Sequence, residues 1–448
     1  MSGSTDFDAI IIGGGPAGAS AAVHLAATGA RVLLAERERF PREKLCGEFI
    51  SPECLEHFAR LGVLTRMEQA GGSRVSETIF YAPSGRGVAV PSAWFGSLSG
   101  GGAALGLSRA EMDARLLARA REAGVVVIEE SALAGVVVED SRVRGVRLHT
   151  SEGVREVRAR VTLDATGRHR AVVRRAAREL VREGKREGKR GSARTGVEHT
   201  DAHVEGATAR TEAPTARTEV VTVRARLVAF KAHLDGARGA PGVCEIYFYP
   251  GGYGGLSPVE GGASNLCFIA RARDVRDAGS DAARVVREVL MRNRRAARTL
   301  AEASARTRWL GVSVESFGRH EPAPFEGLLA VGDAAAFIDP FTGSGMLMAL
   351  EGGELAARAV AGWLSRAGGD FARDGDDYAS LALDYRASYA ARFDARLRLC
   401  GLLRRAALAP TALAEVGVLA LGASETLRRR LARATRGAAS PRAGFFVE

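Results

Sequence analysis

The stretch Lys44-Leu45-Cys46-Gly47-Glu48 brings an amine, a thiol and a carboxyl group together within five residues. A thiol in such a setting can supply a proton to a reacting atom. It can also fill space in a core, because free cysteine is among the most buried residue types. Three roles for Cys46 therefore stay open: proton donor, wall of a binding cavity, or inert core residue.

A dinucleotide-binding pattern precedes this stretch. Residues 7–12 read as an apolar strand, which runs into Gly13-Gly14-Gly15-Pro16-Ala17-Gly18 and then into a helix-forming segment. A G-x-G-x-x-G sequence between a strand and a helix predicts that backbone N–H groups at the helix start hold a pyrophosphate. Glu36 ends the next strand, where its carboxylate can accept hydrogen bonds from a ribose. The expected dinucleotide-binding residues are Gly13, Gly15, Ala17, Gly18, Glu36 and Arg37.

A second signature, Gly332-Asp333-Ala334-Ala335, follows some 300 residues downstream. With the glycine pattern it resembles the FAD proteins of the p-hydroxybenzoate hydroxylase-like superfamily, over nearly the whole chain. The resemblance implies that FAD is the cofactor. Asp333 would bind its ribityl or pyrophosphate region, Arg109 would reach its phosphates or ribose, and Asp164 would hold the motif between its two halves. The further cofactor-binding candidates are Arg109, Asp164, Gly332, Asp333, Gly343 and Gly345.

Three segments together resemble the geranylgeranyl reductase family: Lys44 to Glu48, DATGR at 164–168, and GDAAAFIDPFTGSGM at 332–346. The resemblance implies that Cys46 faces a flavin and substrate cavity. The family's aromatic motif PxxYxWxFP falls on residues 243–250, where Glu245, Tyr247 and Tyr249 replace its tyrosine, tryptophan and phenylalanine. These departures widen the expected lipophilic substrate from isoprenoids to polyketides and quinone-like molecules. The candidate catalytic residues are Cys46, Glu48, Tyr247 and Tyr249.

The favoured function is an FAD-dependent oxidoreductase that reduces a carbon–carbon double bond by hydride transfer from reduced flavin. A monooxygenase acting through a flavin C4a-hydroperoxide is the alternative, although Ala335 stands where such hydroxylases usually have a histidine. Halogenation is disfavoured because the WxWxIP motif and a lysine soon after the Cys46 segment are missing. A non-catalytic flavin-binding scaffold is the remaining alternative. Since the chain has no second G-x-G-x-x-G, NAD(P)H or another electron donor is expected to bind transiently.

The net charge of +11 is concentrated in two segments. Residues 174–194 contain nine basic and three acidic residues, and residues 396–448 contain ten and three. We therefore expect no nucleic-acid partner. The second segment is expected to form helices that cap the substrate domain with solvated arginines, with peripheral contact with an anionic membrane as the alternative. The five cysteines are scattered and the histidines, among them His233, have no ligand partners at a recognisable spacing, so no metal site is predicted. The unpaired cysteines indicate a reducing compartment, and we expect a cytoplasmic protein. The oligomeric state stays open.

Two further features bear on the cavity. PGGYGGL at 250–256 is expected to border it, with an ordinary hairpin loop as the alternative. Lys231 is expected either to contact substrate or flavin or to be a solvated charge at the end of a strand.

The predicted fold class is α/β with an α+β second domain: a Rossmann-like FAD-binding domain, a mostly antiparallel substrate-binding sheet and a helical C-terminal tail. The segment 174–219 is predicted to be a disordered low-complexity insertion, or else a partly helical arm or a binding device. The predicted limits are 6–75, 104–173 and 325–395 for the FAD-binding domain, 76–103 and 220–324 for the substrate domain, 174–219 for the insertion and 396–448 for the basic tail.

Overall fold

The computed structural model describes residues 5–95, 102–194, 227–314, 317–366, 378–408 and 411–436. Strands and helices are numbered in chain order. Within these ranges the first sheet has seven strands. They are β1 (Phe7–Ile12), β2 (Val32–Ala35), β8 (Val126–Ile128), β9 (Leu133–Glu139), β10 (Arg142–Thr150), β11 (Gly153–Asp164) and β19 (Leu328–Ala330).

The core of this first sheet is parallel. β1 pairs in parallel with β2 and β11, while β2 pairs with β8 and β11 with β19 in the same sense. Ile10 and Ile11 of β1 are completely buried, as expected for a strand covered on both faces. The antiparallel strands β9 and β10 extend the sheet at one edge.

The second sheet has eight strands in the described part of the chain. They are β5 (Glu77–Tyr81), β6 (Gly87–Pro91), β12 (Leu227–Asp235), β13 (Val243–Tyr249), β14 (Gly252–Pro258), β15 (Ser264–Arg271), β16 (Ser304–Ala305) and β17 (Leu310–Val314). All its neighbouring pairs are antiparallel except β5 and β13. Two small sheets complete the strands: β3 (Phe49–Ile50), β4 (Ser73–Val75) and β7 (Ala104–Gly106), and β18 (Gly318–Arg319) with β20 (Ala336–Phe337).

The helices cover the sheets and form the tail. They are α1 (Pro16–Ala26), α2 (Pro52–Arg60), α3 (Leu64–Glu68), α4 (Arg109–Glu122), α5 (Ala171–Arg194), α6 (Ala272–Asp277), α7 (Ala282–Glu288), α8 (Arg294–Thr299), α9 (Gly345–Arg366), α10 (Tyr378–Ala407), α11 (Thr411–Ala423) and α12 (Glu425–Ala434). α9 lies so close to α1 that a Cβ atom at Gly353 would overlap the Ala17 carbonyl oxygen. None of the helices described is long and apolar enough to cross a membrane.

The tail is tied to both sheets. Tyr385 of α10 donates a hydrogen bond of 2.8 Å to the Ala330 carbonyl of β19, in the first sheet. Glu415 of α11 accepts hydrogen bonds from the Ser84 backbone and hydroxyl in the β5–β6 turn, at 2.7 and 2.8 Å. The proposed limit between residues 395 and 396 falls inside α10, because this helix is continuous.

The structure agrees with the predicted fold class, but it corrects one segment. Residues 171–194 form the helix α5, so the prediction of disorder is wrong for residues 174–194. Val172 and Ala176 are completely buried, and this apolar contact anchors the start of the charged helix. Residues 195–219 lie outside the described residues.

Candidate functional site

A cavity of about 1070 Å³ is lined by residues of both large sheets. Turns at the carboxyl ends of β1, β2 and β11 form one side, together with the turn after β19. Strands β5, β6 and β13 to β15 and helices α11 and α12 contribute to the other side. Most of the predicted site residues line this cavity: Gly13, Gly15, Ala17, Glu36, Arg37, Cys46, Glu48, Arg109, Gly332, Asp333, Gly343 and Gly345.

The glycine turn, residues 13–18, combines glycines that permit close packing with one whose backbone is open to the cavity. Gly13 has φ +111°, and a Cβ atom there would overlap the Ala165 carbonyl oxygen; a Cβ at Gly18 would overlap the Gly13 oxygen. These two glycines therefore permit close packing, and Gly18 does not line the cavity. A Cβ at Gly15 would meet only the Arg109 Nη2 atom, at 3.8 Å. The backbone at Gly15 is thus open to the cavity.

This open backbone fits the pyrophosphate of FAD. The helix α1 begins at Pro16 without a side-chain cap, so its first N–H groups are available to an anion. Glu36 accepts a hydrogen bond of 2.7 Å from the Gly14 N–H through one carboxylate oxygen, which fixes the carboxylate at the end of β2. Three arginines also line this part of the cavity: Arg37, Arg42 and Arg109. Together these residues fit a dinucleotide, whose central pyrophosphate is anionic.

Arg109 lies at the first turn of α4, between the glycine turn and Cys46. Its guanidinium donates two hydrogen bonds to Asp113, at 2.9 and 2.7 Å. Burial alone would lower the pKa of Arg109, but the Asp113 carboxylate and the Cys46 sulfur more than offset it, so the pKa is raised. Arg109 therefore presents a permanent positive charge beside the glycine turn.

Asp333 lies on the wall near this charge. Burial raises the pKa of Asp333, an effect that Arg109 and Lys44 only partly offset. The pKa of Lys44 is lowered, first by burial and then by Arg42 and Arg109. This end of the cavity is therefore a cluster of mostly positive charges, which suits phosphate groups.

Asp164, which was expected to hold the motif between the two halves of the cofactor, does not itself line the cavity. The carboxylate is completely buried. It accepts hydrogen bonds from the Thr166 N–H at 2.9 Å, the Thr166 hydroxyl at 2.6 Å and the Val173 N–H at 3.0 Å. Asp164 thus shapes the turn between β11 and α5, and the neighbouring residues Ala165 and Thr166 line the cavity.

Cys46 is half-buried on the wall, and Glu48 behind it is completely buried. The Asn265 side-chain amide donates a hydrogen bond of 3.0 Å to the Cys46 carbonyl. The Glu48 oxygen Oε1 accepts hydrogen bonds from the Arg109 backbone N–H at 2.9 Å and from Lys231 Nζ at 2.8 Å. The other oxygen, Oε2, lies 2.6 Å from His233 Nε2. This loop is therefore fixed to the second sheet through a buried cluster of charges.

Lys231 and His233 were not expected in that cluster. Lys231 is 1% exposed and also contacts Glu43. Burial alone would lower the pKa of Lys231, but Glu48 and Glu43 more than offset it, so the pKa is raised and the side chain is charged. Its ammonium group bonds both carboxylates. Because these partners are far apart in sequence, no local pattern indicated them.

Tyr247 and Tyr249 do not line the cavity, which contradicts their assignment as catalytic candidates. They lie on the opposite face of β13, against α7 and α8. Tyr247 donates a hydrogen bond of 2.9 Å to Glu245, and Tyr249 donates to the carbonyls of Tyr253 and Ile269. Successive side chains of a strand point to opposite faces, so the intervening residues Ile246 and Phe248 line the cavity instead.

The sequence analysis missed most of the apolar wall. Phe80 of β5, Phe248 of β13 and Phe341 line the cavity, with ring centroids of Phe80 and Phe341 5.8 Å apart. Val418 of α11 lines it as well. The PGGYGGL segment does border the cavity, through Tyr253 and Gly255, as predicted.

Residues 6–370 match the family model described as FAD binding domain. The chain belongs to this FAD binding domain family. Digeranylgeranylglycerophospholipid reductase 2 of Methanopyrus kandleri is 28% identical over 357 residues, 80% of this chain and 77% of the relative. The FAD-binding chain is an FAD-dependent oxidoreductase, and its predicted likeness to geranylgeranyl reductases is confirmed.

Two solved structures share the fold of this FAD binding domain protein. A geranylgeranyl bacteriochlorophyll reductase-like protein from Thermoplasma acidophilum has a TM-score of 0.68 at 20% identity, covering 94% of this chain and 93% of its own. A flavin-dependent brominase has a TM-score of 0.70 at 19% identity, covering 96% and 93%. At such identities the likeness establishes the fold, so the reaction has to be inferred from the site.

Proposed function

We propose that this FAD-dependent oxidoreductase reduces a carbon–carbon double bond of a lipophilic substrate, of isoprenoid, polyketide or quinone-like chemistry. One observation carries the proposal: the residues that fit a dinucleotide line the same cavity as a wall of aromatic and aliphatic side chains. These residues, here called the dinucleotide cradle, are Gly13, Gly15, Ala17, Glu36 and Arg109. The name of the Methanopyrus kandleri relative supports it.

The apolar wall would hold the substrate and exclude water. Phe341 contacts both Phe80 and Phe248, with ring centroids 5.8 and 5.5 Å apart, and these rings form one surface. Bound and reduced FAD supplies the hydride. The residues that would hold FAD are those of the cradle, with Arg109 at its pyrophosphate or ribose. NAD(P)H or another transiently bound donor would reduce the cofactor.

The catalytic assignments of Cys46 and Glu48 are refined by their contacts. Cys46 stays on the cavity wall, where the thiol either shapes the pocket or donates a proton. Both carboxylate oxygens of Glu48 meet protein partners: Oε1 accepts from Lys231 and from the Arg109 backbone N–H, and Oε2 lies against His233. We therefore assign Glu48 to positioning the Cys46 loop.

Anaerobic turnover tests the proposed reaction. The purified FAD-loaded protein, reduced with dithionite, is mixed with a digeranylgeranylglycerophospholipid or an isoprenoid quinone in detergent micelles. We expect the absorbance of oxidised flavin to return and mass spectrometry to show a product two hydrogen atoms heavier. Empty micelles are the control.

A different pattern would contradict the reductase assignment. If the double bonds stay intact anaerobically, while ¹⁸O₂ and an electron donor give a product labelled with ¹⁸O, the chain is a monooxygenase. If flavin is bound but no donor and acceptor pair turns over, the scaffold alternative is favoured.

The tail offers a route for a lipid into the cavity. Helix α11 directs Ala414 and Val418 to the cavity, whereas Val416 and Leu419 are 59% and 49% exposed and do not line it. Exposed apolar residues beside the arginines of α12 are typical of helices that lie in an anionic membrane surface. We therefore propose that α11 and α12 bind such a surface peripherally.

A double variant Val416→Glu/Leu419→Glu tests this contact, because both side chains are exposed and neither lines the cavity. We expect its binding to vesicles containing phosphatidylglycerol to fall by roughly a factor of ten or more, because two apolar side chains no longer enter the interface. Sedimentation with the vesicles measures the bound fraction. Leu383→Glu is the matched control, since Leu383 is 64% exposed on α10 outside this surface. Equal binding of both variants and the unchanged protein would rule out this docking surface.

A further inference from the structure

Tyr253 of β14 combines a place on the cavity wall with a buried carboxyl partner. All seven tyrosines lie in the described part of the chain, and among them Tyr253 alone lines the main cavity. The Tyr253 hydroxyl contacts Asp339 Oδ1 and accepts a hydrogen bond of 3.1 Å from the Phe341 N–H. The phenol is therefore held between the apolar wall and one acidic group.

Asp339 is 3% exposed, and its two oxygens have different surroundings. Oδ1 meets Tyr253 and accepts a hydrogen bond of 3.0 Å from the Phe341 N–H. Oδ2 is buried and has no hydrogen-bond partner among the described residues. Burial raises the pKa of Asp339, and the Tyr253 hydroxyl, the Phe341 N–H and the Arg404 charge only partly offset this. Burial thus makes Asp339 easier to protonate than an exposed aspartate, and in its protonated form it can donate to the Tyr253 oxygen.

A second cavity, of about 330 Å³, lies on the other side of this pair. Asp339 lines the second cavity but not the main one, whereas Tyr253 lines the main cavity but not the second. The charged residues of the second cavity are Arg319, Asp394, Arg398 and Arg404. A cavity of this size with charged groups in its lining has room for water. The Tyr253–Asp339 pair thus has one member on each of the two cavities.

We propose that Tyr253 donates the proton that completes the reduction of the double bond and that Asp339 resupplies it. This inference rests on the proposed function. The hydride adds to one carbon of the double bond. At the other carbon, the Tyr253 O–H bond breaks and a C–H bond forms. The Asp339 acid proton moves to the Tyr253 oxygen, and the Asp339 carboxylate then takes a proton from water in the second cavity. Each turnover consumes one hydride and one proton from water.

The other groups near Cys46 suit this role less well. Both oxygens of Glu48 are already engaged by protein partners, and Arg109 and Lys231 are held as cations by carboxylates. Tyr253 differs because its acidic partner lies beside a separate cavity from which a proton can return.

A Tyr253→Phe variant of the FAD-loaded protein tests the proposal, because it removes only the hydroxyl from the wall. We expect its anaerobic reoxidation by the double-bond probe to slow by about 100-fold or more, the usual contribution of a general acid. Reoxidation by ferricyanide, which needs no proton on carbon, should be unchanged. Tyr247→Phe is the matched control: it removes a hydroxyl that also bonds a buried carboxylate, on the face of the sheet away from the cavity.

Asp339→Asn tests whether Asp339 returns the proton to Tyr253, and it does so without relying on turnover alone. We expect infrared spectroscopy to show the band of a protonated buried carboxyl group in the unchanged protein and to lose that band in Asp339→Asn. Turnover by this variant should slow while its ferricyanide reaction stays the same. Absence of the band in the unchanged protein would overturn the role of Asp339.

The outcomes separate this proposal from the proposed function. If the unchanged protein does not reduce the double-bond probes, the reductase function fails and the proton route falls with it. If the unchanged protein is active and Tyr253→Phe is equally active, only the role of Tyr253 is refuted. A large loss in Cys46→Ala instead would assign the proton to the thiol.

Discussion

A Gly15→Ala variant is expected to fold and to bind FAD at least about 100-fold more weakly. The backbone of Gly15 is extended enough for any residue, and a Cβ there would meet only Arg109 Nη2, at 3.8 Å. The added methyl group therefore strains little of the protein. It enters the space where a pyrophosphate must approach the backbone closely. Flavin content after purification and fluorescence titration of the apoprotein with FAD measure the loss.

Two other glycines make this result diagnostic. Gly18→Ala should disturb folding itself, because its Cβ would overlap the Gly13 carbonyl oxygen. Gly422→Ala, in α11, should leave both folding and FAD binding intact, since nothing lies within 4 Å of its added Cβ. Full FAD binding by Gly15→Ala would show that the pyrophosphate does not lie against this turn.

Lys231→Ala is expected to lower the free energy of unfolding by roughly 3–5 kcal/mol, the range for breaking a buried ion pair. The lysine is 1% exposed and Glu48 is completely buried. Removing the lysine therefore leaves the buried Glu48 carboxylate without its main cationic partner. Urea unfolding of the FAD-saturated protein, followed by tryptophan fluorescence and circular dichroism, measures the change.

The comparison for Lys231 is an exposed ion pair. Arg238 and Glu302 are 66% and 62% exposed, and Arg238→Ala should cost at most about 1 kcal/mol. The double variant Lys231→Met/Glu48→Gln should cost less than Lys231→Ala, because it leaves no buried charge. If Lys231→Ala costs no more than Arg238→Ala, the buried cluster does not stabilise the fold.

The local parts of the site could be predicted from the sequence. The cradle of Gly13 and Gly15 depends on a turn between a strand and a helix that are adjacent in the chain, so its spacing is diagnostic. The placement of Arg109 and Asp333 came from the resemblance, and the structure brings both to the same cavity. The 174–194 segment was misjudged because its composition is polar, whereas α5 begins at Ala171 and buries Val172, Val173 and Ala176 in its first turns.

The apolar wall could not be predicted in the same way. Along β13, Cys244, Ile246 and Phe248 alternate with Glu245, Tyr247 and Tyr249, and either set reads as a buried face. Alternation gives the period of a strand but not which face meets a cavity and which meets helices. Only the packing of α7 and α8 against the second sheet decided this, and it moved the tyrosines away from the site.

By itself the sequence indicated FAD and the fold class through its family resemblance, and it predicted the glycine turn of the dinucleotide cradle because those residues are neighbours in the chain. The tertiary structure decided which side chains share the cavity. It brought Lys231 to Glu48 and Asp339 to Tyr253 across 183 and 86 residues. Such pairs form because a buried charge or hydroxyl needs a partner, and folding alone determines which distant residue supplies it.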